Sequence, residues 1–368
     1  MAARRFEELD ILRALPILGL PLAHILEECS EYGMLQPQVE HGMAFSYDLF
    51  AWGAPIFMFL MGANWSFSRR TTPAYLVHRG LLLLLTGVLL NLVRFVLPSS
   101  VGPFIGNGEA FYSSLSMVLC SDIYDFSGAA FLLMALCLRL KLRPVPLLTL
   151  ALALLTLGNS IALPDGTDKY LLCFLGRFVW LNSFSYFPLT TWFIFPAAGY
   201  VFGRVYRDFA TEEARARFCL QLIPAGAVGL AACITALQAH GHSALTIYAS
   251  PVNNYITDLP NVAMILCTTL FSIGLFYYLY LLIQPTRLKT AMVAVSKVIM
   301  PFYIIQWVII GWCSTLVYLL VPHHKQLMGF GSYITATVLT TLLSAAGAFA
   351  YDAWLRRRTA CSNILPHK

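Results

Sequence analysis

Apolar residues run through this chain in long stretches, separated by short breaks where Pro, Gly and charged residues gather. A helix that crosses a bilayer needs about 20 mostly apolar residues, because the hydrocarbon core is about 30 Å thick and a helix rises about 1.5 Å per residue. Ten runs meet that pattern: Leu9 to Leu26, Leu49 to Phe67, Gly80 to Leu97, Ile123 to Leu138, Val145 to Leu163, Phe187 to Phe202, Phe218 to Leu237, Leu259 to Ile283, Met292 to Val321 and Tyr333 to Leu355. The ninth is long enough to be tilted, kinked or split around Gly311, and Tyr170 to Leu181 is an eleventh candidate, re-entrant or interfacial. The expected fold is an all-α integral membrane protein of about ten, at most eleven, transmembrane helices, forming one domain over residues 1–368.

Composition agrees. Of 368 residues 58% are hydrophobic and 11% charged, against roughly a quarter charged in a soluble domain. The placement of Lys and Arg adds orientation, because cytoplasmic loops collect them. Segments around Arg13, Arg69, Arg139, Arg204, Arg287 and Arg356 hold 20 of the 24 basic residues. The alternate segments hold Lys169, Arg177 and Lys325 together with most of the acids, from Glu27 to Asp258, and Arg94 lies within the third run. Both termini are therefore expected in the cytoplasm, in a multi-pass membrane protein. The net charge of +6 reflects that orientation and gives no reason to invoke nucleic acid.

The nine cysteines show no C-x-x-C pair and no metal-ligand spacing. Most read as apolar packing residues, with Cys29 and Cys120 a candidate pair on the outer side. The first run follows a basic pair, yet Glu7, Glu8 and Asp10 interrupt its start and no small-residue cleavage site follows, so a retained helix is expected. The chain carries no internal repeat and no Gly-rich phosphate loop.

Candidate chemistry concentrates on the first run. Arg13 and His24 are eleven residues apart. At 100° per residue that is about 20° past three turns, so they share a face about 16 Å apart along the axis. Ionisable groups in a span are costly unless they face protein or water, which marks an internal pathway; the alternative is that Arg13 snorkels to the inner headgroups and His24 sits at an interface. Arg69, Arg70 and Arg79, with Asn64 one turn inside, read either as the orientation signal alone or as a cytoplasmic phosphate site, since Arg offers paired donors to phosphate oxygens. Asn91 and Arg94 share a face of the third run, Arg94 being a buried partner for an acid such as Asp48 or an interface residue. On the outer side His41, Asp48, Trp52, Asn182, Tyr186, Trp192, Tyr255 and Asp258 form either an ordinary aromatic belt or a carbohydrate-binding rim. His240, His242, His323 and His324 read as solvent-exposed.

The opening Leu9-Asp10-Ile11-Leu12-Arg13-Ala14-Leu15-Pro16-Ile17-Leu18, with His24 eleven after Arg13, resembles the start and the R-x10-H motif of the membrane-bound acyltransferase superfamily. That group includes polysaccharide O-acetyltransferases and heparan-alpha-glucosaminide N-acetyltransferase. Asp48-Leu49-Phe50 through Phe57-Met58-Phe59-Leu60-Met61-Gly62-Ala63-Asn64-Trp65-Ser66 resembles the second span of the glucosaminide branch. The specific likeness covers about the first 95 residues. It implies acetyl-CoA, as acyl donor, bound from the cytoplasm, with Arg13 helping to hold the CoA end and His24 at the acyl centre, and transfer to an extracytoplasmic glycan or glycolipid in a bacterial-type inner membrane. Taken with the residue clusters above, Asn64, Arg69, Arg70 and Arg79 are expected to join Arg13 at the donor, His41 and Asp48 to join His24 at the chemistry, and Asn91, Arg94 and Trp192 to help hold the acceptor. No metal is implied, lipid surrounds the chain, and a homodimer is allowed. The sequence departs from the pattern: Ala14 replaces Gly, Pro16 and Pro21 are added, the Arg69, Arg70, Arg79 spacing is not the usual basic motif, and Gln306 stands where many relatives have His. In the glucosaminide branch an Asn occupies the His24 place and the histidine follows in the next loop, so His41 competes with the preferred His24.

A neutral imidazole can take a proton from a sugar hydroxyl or amine as it attacks the thioester, or carry the acetyl group itself. Two other functions fit ten spans. One is a secondary transporter or flippase, although no inverted repeat supports it; the other is a non-catalytic membrane scaffold or sensor.

Overall fold

The computed structural model describes residues 6–40, 53–68, 71–158, 160–161, 163–179, 186–239, 259–283 and 287–364, the last five without side chains. His41, Asp48, Trp52, Arg69, Arg70, Asn182, Tyr255, Asp258, His240 and His242 lie outside them. The described chain is helical: α1 (Glu7–Glu31), α2 (Gly53–Phe67), α3 (Pro73–Asn91), α4 (Gly108–Met117), α5 (Ile123–Arg139), α6 (Pro144–Gly158), α7 (Lys169–Leu175), α8 (Ile194–Asp208), α9 (Glu212–Ala239), α10 (Leu259–Leu282), α11 (Arg287–Lys297), α12 (Ile299–Leu320) and α13 (Phe330–Ile364). Among the described residues, extended pairing is limited to one bridge between Leu35 and Met328.

Every expected apolar run is helical, but the number of spans is corrected. Among the described residues, six helices are long and apolar enough to cross a membrane: α1, α3 with its extension to Ile105, α9, α10, α12 and α13. The other four runs fall on α2, α5, α6 and α8, with described lengths of 15, 17, 15 and 15 residues. Fifteen residues rise about 22 Å, short of a hydrocarbon core of about 30 Å. The described part of α2 begins, and that of α6 ends, at the edge of the described residues. The ninth run is divided as well, at Val298, between α11 and α12, and α12 continues through Gly311. Tyr170 to Leu181 contributes only the seven-residue α7, started by Asp168, whose side chain accepts from the Tyr170 and Leu171 amides.

Two starts fix the geometry that matters later. The Thr72 side chain accepts the Tyr75 amide at 3.2 Å and Pro73 opens α3, two standard ways of using donors the first turn leaves free. Asp122 and Asp125 form a reciprocal capping box at the start of α5. Helix pairs then pack through small residues. Gly199 and Gly203 of α8, four apart, face Phe59 and Ala63 of α2, where any Cβ would overlap the opposing backbone; small residues at this spacing let helix axes approach closely.

Apolar side chains stay exposed on the outer faces, for example Leu81, Leu85 and Leu89 of α3 and Leu339, Leu342 and Leu343 of α13. That is the surface lipid requires. By contrast α1 is the most enclosed span, with 56% of its apolar window buried against 11% for α9. Arg13 and His24 thus ride on a helix walled by protein.

Candidate functional site

Near the start of α1 lies a cleft of about 320 Å³. Arg13 lines it together with Asn64 and Trp65 of α2, Ser68 and Thr71 of the following loop, Tyr75 of α3, and Ser296, Lys297 and Met300. Its cationic side is made by Arg13 and Lys297, and the capped N-terminus of α3 adds the positive end of a helix dipole at Thr71 to Tyr75. Asp10 stands 3.8 Å from Arg13. Arg79 reaches toward the cleft from α3, its Nη2 lying 3.1 Å from the Met300 sulfur. Of the residues expected at the cytoplasmic end, Arg13, Asn64 and Arg79 are gathered here. Lys297 and Ser296, which the sequence reading did not single out, join them.

Eleven residues further along α1, His24 meets α12. Its Nδ1 lies 2.6 Å from Gln306 Nε2, its ring stacks on Trp307 with centroids 4.2 Å apart, and Tyr303 meets it edge-on at 5.8 Å. The two helices run parallel, so Arg13 beside Lys297 and His24 beside Gln306 are successive stations on one seam. The face predicted from 100° steps is the face used. Glu28, one turn beyond His24, continues the seam: it is buried and accepts from Ser314 Oγ at 3.2 Å. Its spacing of four from His24 was a usable signal that the sequence reading passed over.

The orientation of the Gln306 amide sets which ring nitrogen of His24 carries the proton. An N–H donated to Nδ1 makes that nitrogen the acceptor and leaves the ring proton on Nε2. Turning the amide by 180° presents Oε1 instead, moves the proton to Nδ1, and frees Nε2 as a base. Gln306 is fully buried and its Oε1 has no hydrogen-bond partner among the described residues.

Trp307 links His24 to a buried charge network. The Arg94 guanidinium lies 4.3 Å from the Trp307 ring centroid and pairs with Asp122 at 2.7 Å and Asn91 Oδ1 at 2.8 Å. Tyr303 donates to the other Asp122 oxygen at 3.1 Å, and Asn91 Nδ2 donates to the Cys120 carbonyl at 3.0 Å. Arg177 pairs with Asp125 at 3.2 Å and donates to the carbonyls of Leu119 and Val118. Arg94 sits in a π-helical segment, Leu92–Val96, that interrupts the third apolar run. Such bulges are frequent at functional sites. Trp312 donates to the freed Val93 carbonyl at 2.9 Å, and the absence of a side chain on Gly311 lets α12 close on the Arg94 backbone. Arg94 Nε and Nη1 are buried without a hydrogen-bond partner among the described residues.

Of the two alternatives for Arg94, the buried partner of an acid is the one found: Asp122, brought up by the packing of α3 on α5, pairs with it, and Asp48 lies outside the described residues. Two expectations are revised. Trp192 is no exposed rim residue: it is 3% exposed and packed against Phe187 and Phe195 in an apolar cluster separate from the one holding the Trp307 environment. Cys29 and Cys120 do not meet; the Cys120 sulfur instead lies 3.1 Å from that of Cys173. Among the described residues there is no group of three or more His, Cys, Asp or Glu side chains arranged to hold a metal.

No curated protein and no solved structure matches the chain. The family model described as heparan-alpha-glucosaminide N-acetyltransferase, catalytic, matches residues 5–250, a stretch that includes α1, the π segment with Arg94, and Asp122. By that match over more than half its length, the chain belongs to the heparan-alpha-glucosaminide N-acetyltransferase catalytic family, a family of membrane acetyltransferases.

Proposed function

We propose that this protein transfers an acetyl group from acetyl-CoA, bound on the cytoplasmic side, to a sugar hydroxyl or amine presented from the opposite side of the membrane. The observation that carries the proposal is the seam between α1 and α12. One face of an enclosed helix holds Arg13 in a cationic cleft and His24 among Gln306, Trp307 and Tyr303. The donor set fits the donor's chemistry, since Arg13, Lys297 and the α3 N-terminus supply charge-assisted hydrogen bonds to phosphate. A cleft of about 320 Å³ holds a phosphate group or the pantetheine arm, with the nucleotide lying outside. The axial distance from Arg13 to His24, about 16 Å by helix rise, matches an extended arm along α1.

In this reading the Gln306 amide is turned by 180° from the orientation in which its Nε2 faces Nδ1, so that Oε1 accepts from Nδ1–H and His24 takes the proton of the attacking hydroxyl or amine through Nε2. The buried donors of Arg94 face the charge that develops as the thioester carbonyl is attacked, in surroundings where such donors are most effective. Asp122 and Asn91 hold Arg94 in place. Donor and acceptor meet inside the bundle, so neither has to cross the membrane. The orientation, with both termini in the cytoplasm, rests on the alternation of basic and acidic segments.

The family match favours a second assignment of the base, His41, because the glucosaminide branch carries its histidine after the first span. The experiment that decides is acetyl-CoA turnover by the purified full chain with a panel of glycan and hexosamine acceptors. The expected result is CoA release that depends on an acceptor, lost in His24→Ala and retained in His41→Ala. The reverse pattern transfers the base to His41. CoA release with none of the acceptors, together with no binding of acetyl-CoA, overturns the proposal.

A further inference from the structure

Cys120 and Cys173 come from segments 53 residues apart, the turn after α4 and the short helix α7, yet their sulfurs stand 3.1 Å from each other. That is closer than two unbonded sulfurs normally rest, and only about 1 Å beyond a disulfide bond. Both side chains are buried, at 5% and 0% exposure, so each sulfur has the other as its neighbour and is shielded from rivals. Neither belongs to one of the six long apolar helices. Their surroundings carry the acids and the sparse cations of the side opposite the cytoplasm, with Asp122 and Asp125 on one segment and Asp168, Lys169 and Arg177 on the other.

We propose that Cys120 and Cys173 are a disulfide modification site, oxidised on the extracytoplasmic side by a disulfide-carrying thiol oxidoreductase. Oxidising compartments are where such bonds form and persist. One of the two, as a thiolate, displaces one sulfur of the carrier's disulfide and forms a mixed disulfide. The other, after losing its proton, then attacks the protein sulfur of that mixed disulfide and releases the carrier's second thiolate. Two protein thiols give up two electrons and two protons; the carrier's disulfide takes the electrons and leaves as a dithiol. Because both sulfurs are enclosed in the finished fold, the exchange belongs to the stage before α7 packs down.

The position of the bond gives it a purpose. Cys120 accepts a hydrogen bond from Asn91, which holds Arg94, and Cys120 lies two residues before Asp122, the Arg94 partner. Four residues after Cys173, Arg177 pairs with Asp125 and donates to Leu119 and Val118 on the Cys120 turn. A covalent link between the two segments fastens the turn that supplies both buried acids.

The test uses the full chain, exported and extracted from membranes with free thiols alkylated at lysis. Digestion without reductant followed by mass spectrometry is expected to yield one peptide joining Cys120 to Cys173, absent from C120S and from C173S. Reductant is expected to lower the melting temperature of the wild-type protein in detergent and to leave that of the two variants unchanged. A wild-type digest in which both cysteines carry the alkyl group overturns the site. A linked peptide whose reduction leaves the melting temperature unmoved overturns its role as a fastening. Neither result depends on acetyl transfer, so this inference and the proposed function fail separately.

Discussion

Gln306 determines which nitrogen of His24 carries the proton, so a positioning effect can be separated from a catalytic one at these two residues. His24→Ala removes the proposed base, and general-base catalysis is typically worth about 10² to 10⁴ in rate; kcat for acetyl transfer should fall by that order. Gln306→Leu keeps the imidazole and its stacking on Trp307 but removes the hydrogen bond at Nδ1. The expected loss is about fivefold in kcat with KM for acetyl-CoA unchanged, the equivalent of one net hydrogen bond of about 1 kcal/mol. Steady-state kinetics on the two variants checks both. Asp122 works differently, because it supports rather than reacts. It is 3% exposed, and its carboxylate meets Arg94 and Tyr303. Asp122→Asn leaves the buried guanidinium without its counter-charge, a loss of about 3–5 kcal/mol where buried pairs are broken from one side. A lower melting temperature in detergent and a reduced yield of folded protein should follow.

At the scale of helices, the strongest constraint is the contact of α2 with α8. A Cβ on Gly199 would overlap the Phe59 carbonyl and one on Gly62 would overlap the Pro196 carbonyl, whereas Gly331 at the start of α13 has open space around it. Gly199→Leu should therefore force the two helices apart, at about 1–3 kcal/mol or more for overpacking. Gly331→Ala should be neutral or slightly favourable, since Ala prefers helix to Gly. Thermal unfolding of the two variants side by side tests this. The existence and order of the helices were legible, because ten runs of apolar residues can satisfy their backbones only as helices. Two of their ends have local causes that the apolar runs alone do not show: α5 starts where Asp122 and Asp125 cap it, and α12 starts after a break at Val298, where Pro301 has no N–H for the Lys297 carbonyl. The pairing of Arg94 was hidden for a different reason, a contact between distant segments. Many acids share the side expected to face outward, and only the packing of α3 against α5 brings Asp122 to Arg94. The seam of Arg13 and His24, by contrast, lies on one helix, and local periodicity was enough to find it.

Across the whole molecule, the proposed chemistry divides by depth. Recognition of the donor sits at the cytoplasmic end in Arg13, Lys297 and the α3 N-terminus, while proton transfer sits eleven residues along α1 at His24. Groups that hold a phosphate at one end act equally in the ground and transition states, since the phosphate does not change during transfer. Their removal should raise KM and leave kcat, as expected for uniform binding. A charge-assisted hydrogen bond to phosphate is worth about 1.5–3 kcal/mol, so Arg13→Gln should raise the KM for acetyl-CoA by about ten- to a hundredfold. Lys297→Gln should do likewise, to a smaller extent because ammonium lacks the paired donors of guanidinium. Asn91 and Arg94 should show the opposite pattern: Arg94→Lys keeps the charge opposite Asp122, loses the Asn91 hydrogen bond and the unspent donors, and lowers kcat at constant KM for the donor. Kinetics of Arg13→Gln and Arg94→Lys with varied acetyl-CoA separate the two ends. If both variants change the same parameter, donor binding and chemistry are not divided along α1, and the bundle does not work as a passage between a cytoplasmic donor and an acceptor on the far side.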